Sequence, residues 1–160
     1  LITRVYFRLS TKPKLSLEYG SLKYELSKMG STSLGNVRKT VINSRTAKLP
    51  DPQLIGNAGS FFKNPVVSPS VAEEIRLKNP RVPLFNDPSG GIKLAAGWLI
   101  EQCGWKGKRI GDAGVHDKQA LVIVNYGNAT GLELFELSEK VRISVAEKFG
   151  INLEREVEII

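Results

Sequence analysis

Apolar and polar positions alternate with a period of two over residues 2–9, with Val5, Phe7 and Leu9 on one face and Arg4, Tyr6 and Arg8 on the other, which predicts a strand ended by Lys12-Pro13. From Ser33 to about Ala47 the period changes. Leu34, Val37 and Val41 fall at helical spacing behind a Ser/Thr-rich start that can cap a helix, and Leu49-Pro50-Asp51-Pro52 must stop it, because each proline removes a donor and constrains its predecessor. Gly56 to Pro65 packs glycines and asparagines around Phe61-Phe62 and reads as a tight loop leading into a short strand. Ser68-Pro69 supplies a cap and a first-turn proline for a short helix to about Lys78. Residues 79–91 hold three prolines and the turn formers Ser89-Gly90-Gly91, and read as one long loop.

Beyond that loop, Ala95 to Cys103 predicts a mostly buried helix ended by Gly104, and Ala120 to Val124 a strand covered on both faces. Thr130-Gly131-Leu132-Glu133 is a capping box opening the longest helix, with Leu134, Leu137, Val141 and Val145 as its buried stripe and Gly150 as its end. The tail from Ile151 to Ile159 alternates, so Glu154, Glu156 and Glu158 share one strand face. Strands and helices alternate irregularly and no G-x-G-x-x-G turn is present. The fold class expected is therefore α+β, a two-layer sandwich of a mostly antiparallel sheet with helices, rather than a doubly wound dinucleotide-binding sheet.

Composition narrows the class without choosing a function. With 160 residues, 41% of them hydrophobic, the chain can bury one ordinary core, and the single Cys103 excludes an intrachain disulfide or a multi-cysteine zinc site and suits a reducing compartment. No apolar run approaches the ~20 residues of a spanning helix. The net charge of +7 allows polyanions or phosphorylated ligands as partners. Residues 38–109 hold twelve basic and five acidic side chains, whereas residues 110–160 hold five and nine. Basic character thus gathers in the Pro-, Gly- and Asn-rich middle, without the like-charge blocks of a nucleic-acid tail. The opening residues have neither an initiator Met nor the layout of a signal peptide, so the chain reads as a piece that begins inside a strand.

Few residues announce chemistry on their own. Ser60 lies in a glycine-rich loop where amides can approach a ligand, but its surroundings, Ala58-Gly59-Ser60-Phe61-Phe62, are not the G-x-S-x-G of a hydrolase, and the plainer reading is a turn serine. His116 has no sequence partner that would make it a base. Glu156 sits on a polar strand face like any solvated carboxylate. Lys48, Lys63, Lys93, Lys106, Lys108, Arg45 and Arg109 suit phosphate binding or plain solubility. Asn64 before Pro65 is a turn residue or an amide aimed into a site, and Tyr19 before Gly20 a packed ring or a lid.

The order of longer blocks is more specific. Lys48-Leu49-Pro50-Asp51-Pro52 with Gly56-Asn57-Ala58-Gly59-Ser60-Phe61-Phe62-Lys63-Asn64-Pro65-Val66-Val67, then Lys93 to Cys103, Lys106-Gly107, Val115-His116 with Gln119-Ala120-Leu121-Val122, and Leu153-Glu154-Arg155-Glu156-Val157 resemble the C-terminal part of the type I UDP-N-acetylenolpyruvoylglucosamine reductases. The resemblance implies a bacterial, cytoplasmic flavoenzyme of peptidoglycan precursor synthesis, and so of cell-wall biogenesis, cell shape and division. Such an enzyme reduces UDP-N-acetylglucosamine enolpyruvate to UDP-N-acetylmuramate with FAD and NADPH. It implies Ser60 as the proton donor and Glu156 as the carboxyl group on the same reacting unit, a pairing whose logic is general acid catalysis with stabilisation of enolate-like charge. Lys48, Asn64, Lys106 and Gln119 match positions that hold the diphosphate and uridine, and Tyr19 one that covers the substrate.

The FAD-binding part of that family, with its glycine-rich flavin loops, has no counterpart in these residues, so no cofactor-binding or metal residues are expected here. Residues 1–20 are then the end strand and linker from that part, and residues 21–160 a substrate-binding domain, monomeric and inactive by itself, without membrane or nucleic-acid partners. The rival from another class is a basic nucleic-acid-binding module, motivated by the charge, and a third is a purely structural interaction domain. Against the rival, the aromatic-basic interleaving of RNA-recognition surfaces is missing.

Overall fold

The computed structural model describes residues 2–18 and 20–160. The chain divides into two units, residues 1–47 and 48–160. In the second unit the chain runs β1 (Gly56–Ser60), β2 (Val66–Val67), α3 (Pro69–Lys78), β3 (Leu84–Asn86), β4 (Ile92–Leu94), α4 (Ala96–Gln102), β5 (Arg109–Ile110), β6 (Ala113–Val115), β7 (Val122–Asn125) and α5 (Gly131–Phe149). The first unit holds α1 (Leu22–Ser27) and α2 (Leu34–Lys48), whose last residue crosses the division.

The α+β class and antiparallel pairing are as expected, but the strands form two sheets rather than one, ordered β1-β7-β6-β5 and β2-β4-β3. β7 is the apolar run Val122-Ile123-Val124, buried throughout because it lies between β1 and β6 in the larger sheet. α5 begins at the expected capping box, in which the Thr130 hydroxyl accepts from the Glu133 amide and the Glu133 carboxylate accepts from the Thr130 amide. It ends at Gly150, whose φ of 68° is the left-handed cap that glycine adopts without strain. Leu137, Val141 and Val145 of α5, Leu99 and Ile100 of α4, Phe62, Val115 and Ile123 belong to one buried cluster. Burying each such side chain contributes about 1.5–3 kcal/mol. α3 starts as read, with the Ser68 hydroxyl accepting from the Val71 amide and Pro69 in the first turn.

Four sequence expectations change. Gly56–Ser60 is not a loop but β1, because the ladder to β7 outweighs the poor strand propensity of Gly and Asn. The register slips between Asn57 and Ser60, where Gly59 takes φ 75° and donates its amide to Asn57 Oδ1. Residues 79–91 are not one long loop: Leu84–Asn86 pairs with β4, and the Asp87 amide bonds the Gly91 carbonyl to close the turn. The tail keeps its alternation, with Ile151 and Leu153 buried and Glu154, Glu156 and Glu158 exposed, yet it forms only a single bridge, Arg155 to Phe62.

The fourth change lies in the first unit, where residues 2–9 carry no strand and are exposed throughout. A lone ribbon with Val5, Phe7 and Leu9 in water has no ladder to hold it. α2 forms as read, with the Ser33 hydroxyl accepting from the Asn36 amide, but its stripe is not covered. Leu34 is 60% and Val41 38% exposed, and Thr40 is the buried position, its hydroxyl on Met29 Sδ at 3.3 Å. No helix among the described residues is long and apolar enough to cross a membrane.

Candidate functional site

The geometry around Ser60 starts from two phenylalanines. Ser60 ends β1 opposite Val122, and the next residues, Phe61 and Phe62, are buried at 7% and 1% exposure, so the backbone there is fixed from below. The Phe61 amide donates to the Leu121 carbonyl at 2.8 Å. On its other side the C-terminal tail runs antiparallel. The Lys63 amide donates to the Glu154 carbonyl and the Glu156 amide to the Phe61 carbonyl, both at 2.9 Å. Glu156 is thereby held opposite Phe61, the residue that follows Ser60, and the Ser60 and Glu156 side chains are both exposed. By that register successive side chains alternate in face, so the Ser60 hydroxyl and the Glu156 carboxyl are each open to solvent at this edge. A groove of about 650 Å³ lies nearby, lined mostly by apolar residues such as Phe61, Leu132, Phe135, Val157 and Ile159; neither Ser60 nor Glu156 lines it.

Two amides meet at the start of α4. Asn64 Oδ1 accepts from the Ala96 amide at 2.9 Å, satisfying a helix-terminal donor, which leaves its Nδ2 for other work. Gln119 Oε1 accepts from the Leu121 amide at 3.5 Å and lies beside Gly97. Leu121 also receives the Phe61 amide, so Gln119 is linked through Leu121 to the residue after Ser60, while Asn64 reaches the same helix start through Ala96. Lys106 follows α4 and pairs with Glu101 of that helix at 2.9 Å. Lys48 closes α2, exposed, and its side chain makes no hydrogen bond or ion pair among the described residues. Tyr19 lies outside the described residues.

Several of the basic side chains considered as phosphate ligands are already engaged. Lys63 is paired with Glu154, Arg109 with Asp112, and Lys93 with Asp87 at 3.1 Å, while Lys108 lies over the Trp105 ring at 4.4 Å. The positive middle segment is thus partly neutralised where it folds. The Ser89 hydroxyl and amide, with Lys93 behind them, pull the Asp87 carboxyl down to about 2. His116 is buried, its Nδ1 accepting from the Lys118 amide at 3.3 Å, as a structural histidine would be.

Sequence reading did not single out Arg155. Its guanidinium ion-pairs with Glu139 of α5, and no local pattern joins these two residues because the contact depends on how the tail packs across the helix. The one available signal was that Arg155 stands between Glu154 and Glu156 on the opposite, inward-facing side of the alternating tail.

An antiparallel α+β domain with an exposed hydroxyl and carboxyl on adjoining segments, and two amide side chains at the start of α4, offers polar groups to a ligand. The chain belongs to the family of the UDP-N-acetylenolpyruvoylglucosamine reductase C-terminal domain, whose model matches residues 51–160. Among similar proteins, a UDP-N-acetylenolpyruvoylglucosamine reductase of Bacteroides fragilis is 47% identical over 159 residues, covering 99% of this chain and 48% of that protein. One of Chromobacterium violaceum is 50% identical over 159 residues, covering 98% and 46%. The chain spans about half the length of the curated relatives it matches. A crystal structure of UDP-N-acetylenolpyruvylglucosamine reductase from Thermus caldophilus is 27% identical, with a TM-score of 0.47 over 78% of this chain and 33% of that one.

Proposed function

We propose that this chain is the substrate-binding part of a flavoenzyme that reduces UDP-N-acetylglucosamine enolpyruvate to UDP-N-acetylmuramate with NADPH, in the cytoplasm of a bacterium building peptidoglycan. The observation that supports the reading is the contact between residues 61–63 and 154–156 in a member of this family, which joins the segment carrying Glu156 to the segment that follows Ser60. FAD does not fit the strand-to-helix turn that opens the longest helix. The strand-to-helix turn between β7 and α5, where a dinucleotide diphosphate would need free amides, has them spent: Gly127 and Ala129 donate to Asn125 Oδ1, Asn128 to Asp112 and Thr130 to Glu133. The carboxylates of Asp112 and Glu133 at that turn would also repel a diphosphate. On this reading the flavin is held by another part of the full-length protein, and this chain alone is expected not to turn over.

Once one enolpyruvyl carbon has received a hydride, its neighbour needs a proton. Ser60 holds that proton on Oγ at the rim, and Glu156 supplies the second acidic group of the same reacting unit. Lys48, Asn64, Lys106 and Gln119 hold the diphosphate and uridine, with Tyr19 covering them. Lys106 must exchange or share Glu101 to do so, and Asn64 offers Nδ2 because its oxygen is committed to Ala96. The test is stopped-flow kinetics of the full-length, flavin-loaded protein. Ser60→Ala should leave flavin reduction by NADPH near normal and slow substrate-dependent reoxidation by a factor on the order of 10²–10⁴. Equal slowing of both half-reactions, or normal reoxidation, would remove Ser60 from the chemistry.

A further inference from the structure

Arg155 is the residue immediately before Glu156, opposite Phe62 in the single bridge that joins the tail to the Ser60 strand. Its guanidinium is gripped by one face of α5. Nε donates to Ser138 Oγ at 3.3 Å, the fork ion-pairs with Glu139, and the carbon of the guanidinium lies 4.6 Å from the centre of the Phe135 ring. Residues 135, 138 and 139 share that face by helical spacing. Each partner is itself held. Ser138 is fully buried and its hydroxyl donates to the Phe135 carbonyl at 2.7 Å, while Arg142 donates to both oxygens of Glu139 at 3.0 and 2.9 Å. The side chains of Arg155 and Glu139 are only 25% and 28% exposed, so this is no loose surface pair.

We infer that Arg155 is a positioning residue, clamping the tail to α5 so that Glu156 stays fixed opposite Phe61, at the end of the Ser60 strand. Besides the clamp, the tail is held on the strand side by the backbone bonds of Glu154 and Glu156 and the Lys63–Glu154 pair, and along the core by Leu153 and Val157; Arg155 is the tail side chain that ties it to the polar groups of α5. A planar, delocalised guanidinium suits the task, since it can accept an aromatic face and give directed hydrogen bonds together, which an ammonium cannot. What Glu156 does rests on the reductase reading, but where it is held does not.

The experiment measures two things. In the full-length, flavin-loaded protein, Arg155→Ala should lower kcat for enolpyruvyl reduction on the order of 10- to 10²-fold, the usual penalty for a reacting group displaced by about an ångström. KM for the nucleotide sugar and flavin reduction by NADPH should stay near normal. Glu139→Gln should shift kcat the same way by less, and Arg155→Lys should recover part of the rate. In the same proteins, hydrogen exchange at the Glu156 amide should quicken while the amides of α5 keep their protection. Normal kcat in Arg155→Ala, or equal loss in both half-reactions, would overturn the inference. If Arg155→Ala does not fold, Arg155→Lys and Glu139→Gln carry the same readouts. Should the unmodified protein fail to reduce the enolpyruvyl nucleotide, the reductase reading falls, and the Glu156 amide still decides: unchanged exchange in the variants would overturn the clamp as well.

Discussion

Gly97 has almost no spare room. A Cβ there would stand 3.2 Å from Gln119 Oε1 and 3.4 Å from Leu121 Cγ, at the point where the two amide side chains meet α4. Alanine would favour the helix by up to about 1 kcal/mol, and the crowding would return a similar amount, so Gly97→Ala should change the melting temperature little. The carboxamide of Gln119, however, has to move. If Gln119 holds the nucleotide, UDP affinity should weaken by one net hydrogen bond, about 1 kcal/mol or about fivefold in Kd. A UDP titration with unchanged Kd in a stably folded variant would take Gln119 out of the site. At this scale the sequence is informative about identities and poor about partnerships. Ser60, Asn64 and Glu156 could be named because they stand in long family-like blocks. That the Asn64 oxygen is spent on Ala96, that Lys63 is tied to Glu154, or that Arg155 reaches α5 depends on contacts between segments far apart in the chain, which no local spacing encodes.

Helices were legible because their signals are local: a capping serine or threonine, a first-turn proline and a stop at Gly or Pro predict α2, α3, α4 and α5 to within a residue or two. Strands were not, where pairing rather than propensity decides. β1 is glycine-rich and forms because β7 is there. The β5–β6 hairpin carried a signal that went unread, since Gly111-Asp112 is a two-residue turn with positive φ only at its glycine. The β3–β4 hairpin hid behind its prolines, and its turn is held largely by Asp87. With the Ser89 hydroxyl, the Ser89 amide and Lys93 all favouring the carboxylate, the folded pKa of about 2 lies below the ordinary aspartate value of about 3.9. The group binds fewer protons folded than unfolded across that interval. Its stabilisation is therefore fully present above about pH 4 and is lost as pH falls toward about 2. Asp87→Asn should melt below the unmodified chain at neutral pH, and the gap should close at about pH 2. A gap of constant size across that range would mean that shape, not charge, holds the turn.

For the molecule as a whole, the distribution of buried residues sets how stability is shared. The main core cluster draws its buried members from Phe61 to Leu153, all inside the unit that starts at Lys48. In residues 2–47, Leu26 and Thr40 are the buried positions among those described, whereas Val5, Phe7, Leu9, Tyr24 and Leu34 are exposed. Six-residue α1 and an α2 with an uncovered apolar stripe gain little from packing, and helices of such length are marginal in water without it. The sequence pattern could not reveal this, because a period of two or of 3.6 marks a face that is able to be buried and says nothing of whether a neighbour covers it. Native-state hydrogen exchange should therefore divide the chain. Amides of β6, β7 and α5 should exchange only through global unfolding, and those of α1 and α2 through local opening at much lower free energy. A chain beginning at Lys48 should accordingly keep its cooperative transition, with a melting temperature within about 4 °C of the full chain, the equivalent of about 1 kcal/mol for a domain near this size. A larger fall, or equal protection of α2 and α5, would show that residues 2–47 carry a share of the core stability that their exposure does not suggest.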